Sequence, residues 1–463
     1  MCLTPISRRS FVSQGLGTAA VAAGLPHGFR LPRWQDLGGR ERPHLQVALE
    51  AWRWIEASTV TTNRGITWPA DPTDSESVGL SLYTHAPGVL PFALELFHST
   101  RDERFLDAAG RGAAHLSASA DQVEGAGLYT GLAGLAFVFE ELFKASGSDA
   151  HRHMAERATD AIVTRAVEID DGVAWLGDAG NGETLESNDI VSGTAGIALA
   201  LLYLHDAMGH EEALDTATRA GHRLLEQAIE TDTGLTWEIW KDYGREMPNF
   251  SHGTAGVSYA LAMLYTKTGE NAFLDAAIRG AQYLQSIATL QEDGYLIRHH
   301  TPGGEDLYYL SWCHGPVGTN RLFHQLHAAT GDNGWMEWMH RGARGIMHTG
   351  APEQRTPGFW ENVSQCGGSA GLGEFFLAFY RATGRPEYRS YVDRLTDDLL
   401  HRSTETDDGA KWIQSEHRVQ PDLLVAQTGF MQGAAGVGKF FLHLDSMSTS
   451  DAGPAIILPD SPY

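Results

Sequence analysis

The sequence predicts an all-α protein, a seven-fold α/α toroid whose inner and outer rings of helices are joined by loops carrying short β-hairpins. Three observations predict it. A small-residue turn opens an apolar, helix-like run seven times, and a more amphipathic helical segment precedes each turn. The side chains just ahead of the turns also form one chemical cluster only if the repeats close into a ring.

The turns are His85-Ala-Pro-Gly88, Gly131-Leu-Ala-Gly134, Gly193-Thr-Ala-Gly196, Gly253-Thr-Ala-Gly256, Gly315-Pro-Val-Gly318, Gly368-Ser-Ala-Gly371 and Gly433-Ala-Ala-Gly436. Their last glycines are separated by 46, 62, 60, 62, 53 and 65 residues. A single Gly-x-x-Gly ahead of a helix can cradle a phosphate, but so many equivalent copies are structural. The runs that follow, such as Val257 to Tyr265 and Leu372 to Tyr380, are apolar around most of their circumference, as suits helices buried on both sides. Gly147, Gly269, Gly331 and Gly384 are the expected stops. The amphipathic partners fall near 44–57, 104–119, 149–168, 211–230, 272–288, 333–349 and 386–402.

A closed ring gathers the turns on one face of a central cavity, and the inner helices are expected to point their first N–H groups at it. The strand-like segments ending in Trp68, Trp175, Trp237 and Trp412 are expected to be hairpins roofing that face. The toroid is expected to span 40–446, followed by an irregular tail, 447–463, rich in Pro, Ser and Asp. An open α-solenoid is the architectural rival.

With 463 residues, 42% hydrophobic content and 12 Trp, the chain can bury a large core. Its net charge of −24 argues against nucleic acid or an anionic membrane surface as partner. At the N-terminus, Ser7-Arg8-Arg9-Ser10-Phe11-Val12 precedes a weakly apolar Ala/Gly-rich run, the pattern of a twin-arginine signal over 1–30. The expectation is export to the periplasm or the extracellular space, with no stable membrane span. Three cysteines do not make a disulfide scaffold, and loss of Cys2 with the signal leaves Cys313 and Cys366.

Those two cysteines carry the sharpest chemical signal. Aligned on the turns, the residue directly before them is Thr84, Thr130, Ser192, His252, His314, Gly367 and Gln432. One position earlier it is Tyr83, Tyr129, Val191, Ser251, Cys313, Cys366 and Met431. Neighbouring repeats thus aim two thiols and two imidazoles at one sector of the cavity, a donor set that suits zinc with an open coordination position. The alternatives for two cysteines of an exported protein are a disulfide or a pair of unpaired thiols. His299, His300 and His417 read as solvated loop residues. Glu238, Asp306 and Glu361, near loop tryptophans, suggest the carboxylate-aromatic lining of a carbohydrate-active toroid, without a spacing that identifies an acid and a base.

From about residue 44 to 445 the chain resembles the lanthionine synthetase C-like (LanC-like) family, on Ser251-His-Gly-Thr-Ala-Gly256, Trp312-Cys-His-Gly-Pro-Val-Gly318, Cys366-Gly-Gly-Ser-Ala-Gly371 and the repeated turn. The resemblance implies a zinc held by Cys313 and Cys366, which activates a peptide cysteine for addition to a dehydroalanine or dehydrobutyrine. It makes His252 a candidate acid/base, and it gives His314 a position that is His or Tyr in the family. The family's third ligand, a His, falls on Gly367, so His314 or another cavity group is expected to complete the site. The expected function is therefore an exported LanC-like protein doing thiol chemistry on a peptide. The alternatives are a carbohydrate-active toroid and a peptide- or glycan-binding toroid that has lost its metal.

Overall fold

The computed structural model describes residues 42–178, 184–449 and 454–463, so the expected signal at 1–30, with Cys2, lies outside the described residues. Helices alternate strictly between two rings. The outer ring is α1 (Pro43–Ala57), α3 (Glu103–Ser119), α5 (Asp149–Thr164), α7 (Glu211–Glu226), α9 (Asn271–Ser286), α11 (Asn333–His348) and α13 (Pro386–His401). The inner ring is α2 (Ala86–Thr100), α4 (Leu132–Ser146), α6 (Thr194–Met208), α8 (Thr254–Thr268), α10 (Pro316–Thr330), α12 (Ser369–Thr383) and α14 (Ala434–Thr449). Gly147, Gly269, Gly331 and Gly384 each close an inner helix in the left-handed conformation, at φ of 66° to 74°.

The ring closes. Each inner helix packs on the inner helix of the next repeat, α14 meets α2, and α1 covers α14 at the seam. An open solenoid is thereby excluded. The inner helices are buried almost all round, with Val257, Tyr259, Leu261 and Leu264 of α8 at 0–1% exposure. Such side chains contribute about 1.5–3 kcal/mol each relative to exposure.

Closure is also written in the backbone, at the register position that carries the cysteines. Amide N–H groups donate to the next repeat from Tyr83 to Tyr129, Tyr129 to Val191, Ile190 to Ser251, Ser251 to Cys313, Cys313 to Cys366, Cys366 to Met431 and Met431 back to Tyr83, at 2.8–3.2 Å. This hoop of hydrogen bonds encircles the axis just above the inner helices.

The turn glycines are required by close approach. A Cβ on Gly318 would stand 2.1 Å from the Trp312 carbonyl oxygen, and one on Gly371 2.1 Å from that of Gln365. Each turn folds back onto the strand of the hoop six residues earlier, and that fold-back alters one expectation. The first helical N–H groups do not face the cavity: Thr254 and Ala255 donate to Met247 and Pro248 carbonyls, and Ala370 and Gly371 to Val363 and Ser364. Loop carbonyls satisfy the orphan donors that a helix start leaves.

The Trp segments do form two-stranded antiparallel hairpins, for example Ile229–Thr231 with Gly234–Thr236 and Ser403–Thr406 with Gly409–Trp412. They do not roof the cavity. Their second strands pack on the outer helix of the next repeat, Gly234–Thr236 on α9 and Gly409–Trp412 on α1. The Trp237 and Trp412 indoles donate to Leu224 and Leu399 carbonyls at 2.7 and 2.8 Å. The hairpins stitch the outer ring, and the loops after them cover the cavity.

Candidate functional site

The cavity above the hoop holds about 240 Å³. Cys313 and Cys366 line it side by side, because Cys313 N–H donates to the Cys366 carbonyl at 3.2 Å. Both are buried thiols. Around them the loops supply Arg245, His299, His300, Trp360 and Glu416, with Gly367 in the wall. The structure therefore brings the two cysteines together as their matched register requires.

His314 is placed differently. It is 1% exposed and is not among the residues lining the cavity. Its ring stacks on His299, with centroids 3.9 Å apart, and stands 5.8 Å from His252 and 5.5 Å from Tyr309. His299 in turn shares a hydrogen bond with His300, Nδ1 to Nδ1 at 2.8 Å. The two loop histidines read from sequence as solvated are buried, at 3% and 8% exposure. Burial, followed by the Arg245 charge, lowers the His300 pKa.

At the other end of this row of imidazoles, and like His314 not among the residues lining the cavity, His252 meets Asp189, Nδ1 to Oδ2 at 2.5 Å, both groups buried. The second Asp189 oxygen accepts from the Ser192 and Gly193 amides at 2.9 and 2.7 Å, which fixes the carboxylate at the start of α6. Asp189 thus sets the His252 tautomer, with Nδ1 carrying its proton toward the carboxylate. Sequence reading missed Asp189. The available signal was an acidic residue four positions ahead of a turn glycine, one repeat before His252.

None of the carboxylates proposed for carbohydrate chemistry, Glu238, Asp306 and Glu361, is among the residues lining this cavity. Asp306 is exposed, and Glu361 is exposed and paired with Arg355 and Arg402 at 3.2 and 2.9 Å. Among the described residues lining the cavity, Glu416 is the one carboxylate. Among the described residues, one group of three donors has ligand atoms within 4.8 Å of one another, Glu292, Asp293 and His348, and it is exposed on the surface.

Ring closure and a thiol-lined cavity at one mouth define an α/α toroid with two buried cysteines on its hoop. The lanthionine synthetase C-like protein family matches over residues 76–458, and the chain belongs to that family. Among solved structures it is similar to nisin cyclase at 15% identity, covering 87% of this chain and 93% of that one, with a TM-score of 0.59. It is also similar to a family 76 α-mannanase of Bacteroides thetaiotaomicron at 11% identity, covering 89% and 98%, with a TM-score of 0.49. No described helix is long and apolar enough to cross a membrane.

Proposed function

We propose that this chain holds a zinc ion at Cys313 and Cys366 and promotes addition of a thiol to an unsaturated residue of a peptide. One observation carries the reading: two buried thiols of adjacent repeats, locked side by side by a backbone hydrogen bond, share a cavity with imidazoles. The donor chemistry fits zinc, which takes Cys sulfur and His nitrogen and leaves a position for substrate in catalytic sites. The third family ligand is replaced by Gly367; His299 and His300 line the same cavity and would supply the third donor, although Cys313, Cys366 and either imidazole do not have their ligand atoms within 4.8 Å of one another.

Zinc, when bound, lowers the pKa of a coordinated thiol and so supplies the nucleophile at neutral pH. This chain's own residues do the rest. The loops with Arg245, Trp360 and Glu416 enclose the peptide and exclude water from the thiolate. The thiolate sulfur bonds the β-carbon of the unsaturated residue, the π pair moves onto its carbonyl as an enolate, and protonated His252 returns a proton to the α-carbon. Asp189 holds the imidazole in the tautomer and orientation this transfer needs.

The test is metal content with a thiol count. The purified chain is expected to hold about one zinc, lost on Cys313→Ala or Cys366→Ala. Zinc-free protein with both thiols titrating would overturn the zinc reading and leave a peptide-binding toroid. A chain with no titratable thiols would show the disulfide instead. We also propose export by the twin-arginine route. Arg8→Lys with Arg9→Lys is expected to leave the protein in the cytoplasm, and unchanged export would refute that route.

A further inference from the structure

Below the hoop, the lumen of the toroid contains a second cavity of about 430 Å³, and its wall includes the chain's own C-terminal segment. Residues 454–463 form no helix or strand, yet Ile456, Leu458, Pro459 and Asp460 are buried. The segment enters beside Glu95, which accepts from the Ile456 and Ala455 amides at 2.9 and 3.3 Å, while Lys439 donates to the Ile456 carbonyl at 2.9 Å. It then reaches the underside of the hoop, where the Ser461 amide closes a turn onto the Leu458 carbonyl at 2.9 Å. At the apex of that turn stands Asp460, with 0% exposure.

The Asp460 carboxylate is met by a built set of donors. Arg321 Nη1 of α10 pairs with it at 2.8 Å, the Tyr129 hydroxyl donates to both oxygens at 3.1 Å, and the Trp312 indole N–H donates at 3.0 Å. Arg321 Nη1 also holds the Asp460 carbonyl at 2.7 Å. Burial and the Asp460 charge raise the Tyr129 pKa far above the ordinary range, so its hydroxyl stays a donor. Tyr129 is a member of the hoop, and Trp312 directly precedes Cys313.

A cation, a hydroxyl and an indole N–H converging on one point in an enclosed, largely apolar lumen are what recognition of a carboxylate requires. We propose that the lumen is a binding site for a carboxylate-bearing extended peptide, occupied here by Asp460 of the chain's own C-terminal segment, and that this tethered peptide closes the lumen beneath the two cysteines. The site is independent of any metal. It offers a partner no comparable contact unless its side chain is an acid, because a neutral residue would leave the Arg321 charge buried without a counter-ion.

The experiment uses the full chain. A protease recognition sequence is inserted after Ser450, the folded protein is cut, and retention of the released segment is followed by gel filtration and mass spectrometry. The segment with Asp460 is expected to stay bound, and the Asp460→Asn segment to dissociate at least about tenfold faster. Retention of both would overturn carboxylate recognition, and loss of both would show that the segment is held only by its covalent link. Where Asp460→Asn alone does not fold, the pair Arg321→Gln with Asp460→Asn avoids the unmatched charge, and retention of its segment counts equally against the proposal. Once the segment has left, alkylation of Cys313 and Cys366 by iodoacetamide is expected to quicken at least about fivefold. An unchanged rate would refute closure of the lumen by the segment.

Discussion

Gly367 has room for a Cβ. A Cβ at this position would stand 3.4 Å from the Trp360 ring and 3.8 Å from Asn362, ordinary contact distances. Gly367→His is therefore expected to fold and to tighten zinc by at least about tenfold, or ~1.4 kcal/mol, in a chelator competition. The same substitution should restore zinc to a His299→Ala variant if His299 serves as the third ligand. Zinc bound equally well by the parent, His299→Ala and Gly367→His would show that neither position contributes. Asp189 is the second residue on which the chemistry turns. Asp189→Asn keeps an oxygen for the Ser192 and Gly193 amides but removes the charged acceptor of His252. The rate of thiol addition to a dehydroalanine peptide is expected to fall by about 10²–10⁴ with little change in KM. A rate within a factor of about three of the parent would remove His252 from the proton transfer.

The inner helices and the outer helices respond differently to the same change. Gly371→Ala puts a methyl group into the Gln365 carbonyl at the start of α12 and is expected to cost about 1–3 kcal/mol or more in urea unfolding. Gly110→Ala lies inside α3 with nothing within 4 Å of the new methyl, and is expected to stabilise by about 0.5–1 kcal/mol. The C-terminal segment adds a pH dependence through its anchor. His443 Nδ1 meets Glu374 at 2.7 Å and its Nε2 meets Glu95 at 3.2 Å. Burial pushes the Glu95 carboxyl up, but His443 and Lys439 outweigh it and bring it down to about 2. Burial likewise works against the charged form of His443, and the two glutamates outweigh it and raise its pKa. The Glu95 contribution is complete above its ordinary 4.5 and is lost as pH falls toward 2. The His443 contribution is complete below its ordinary 6.5 and is lost as pH rises through its higher value in the fold. The gap in Tm between the parent and His443→Gln should therefore be widest between those two ordinary values and should narrow on both sides. A gap that keeps widening as pH rises above 6.5 would contradict this charge assignment.

A closed ring has no terminal repeat, so its repeats are expected to unfold together. Trp52 of α1 lies at the seam, 1% exposed, with its ring 6.2 Å from Phe92 and 5.6 Å from Phe105. Trp52→Ala should cost about 3–5 kcal/mol, and in native-state hydrogen exchange it should lower protection equally in α2 and in the distant α8. Loss confined to the first and last repeats would mean that the ring opens as a solenoid does. Much of this architecture was legible in the chain. The seven turns, the buried runs after them and the glycine stops are local signals, set by backbone close approach and by helical periodicity, and they place each helix to within a few residues of its observed bounds except where the outer helices yield early to the hairpins. The pairing of Cys313 with Cys366 was legible too, because a fixed register within each repeat becomes spatial adjacency once the repeats are side by side. What the loops do was not legible. The stacking of His314 on a buried His299 and the Asp189–His252 contact join residues about 15 to 63 positions apart through paths that no periodicity specifies. The C-terminal segment is the extreme case: its composition reads as an irregular tail, and only a lumen already walled by helices and furnished with Arg321, Tyr129 and Trp312 makes burying Asp460 favourable. The sequence by itself determined the repeat, the ring and the two thiols, since each follows from local sterics and register. The tertiary structure alone decided what surrounds those thiols and what fills the lumen, because a buried charge is stable only where distant partners converge on it.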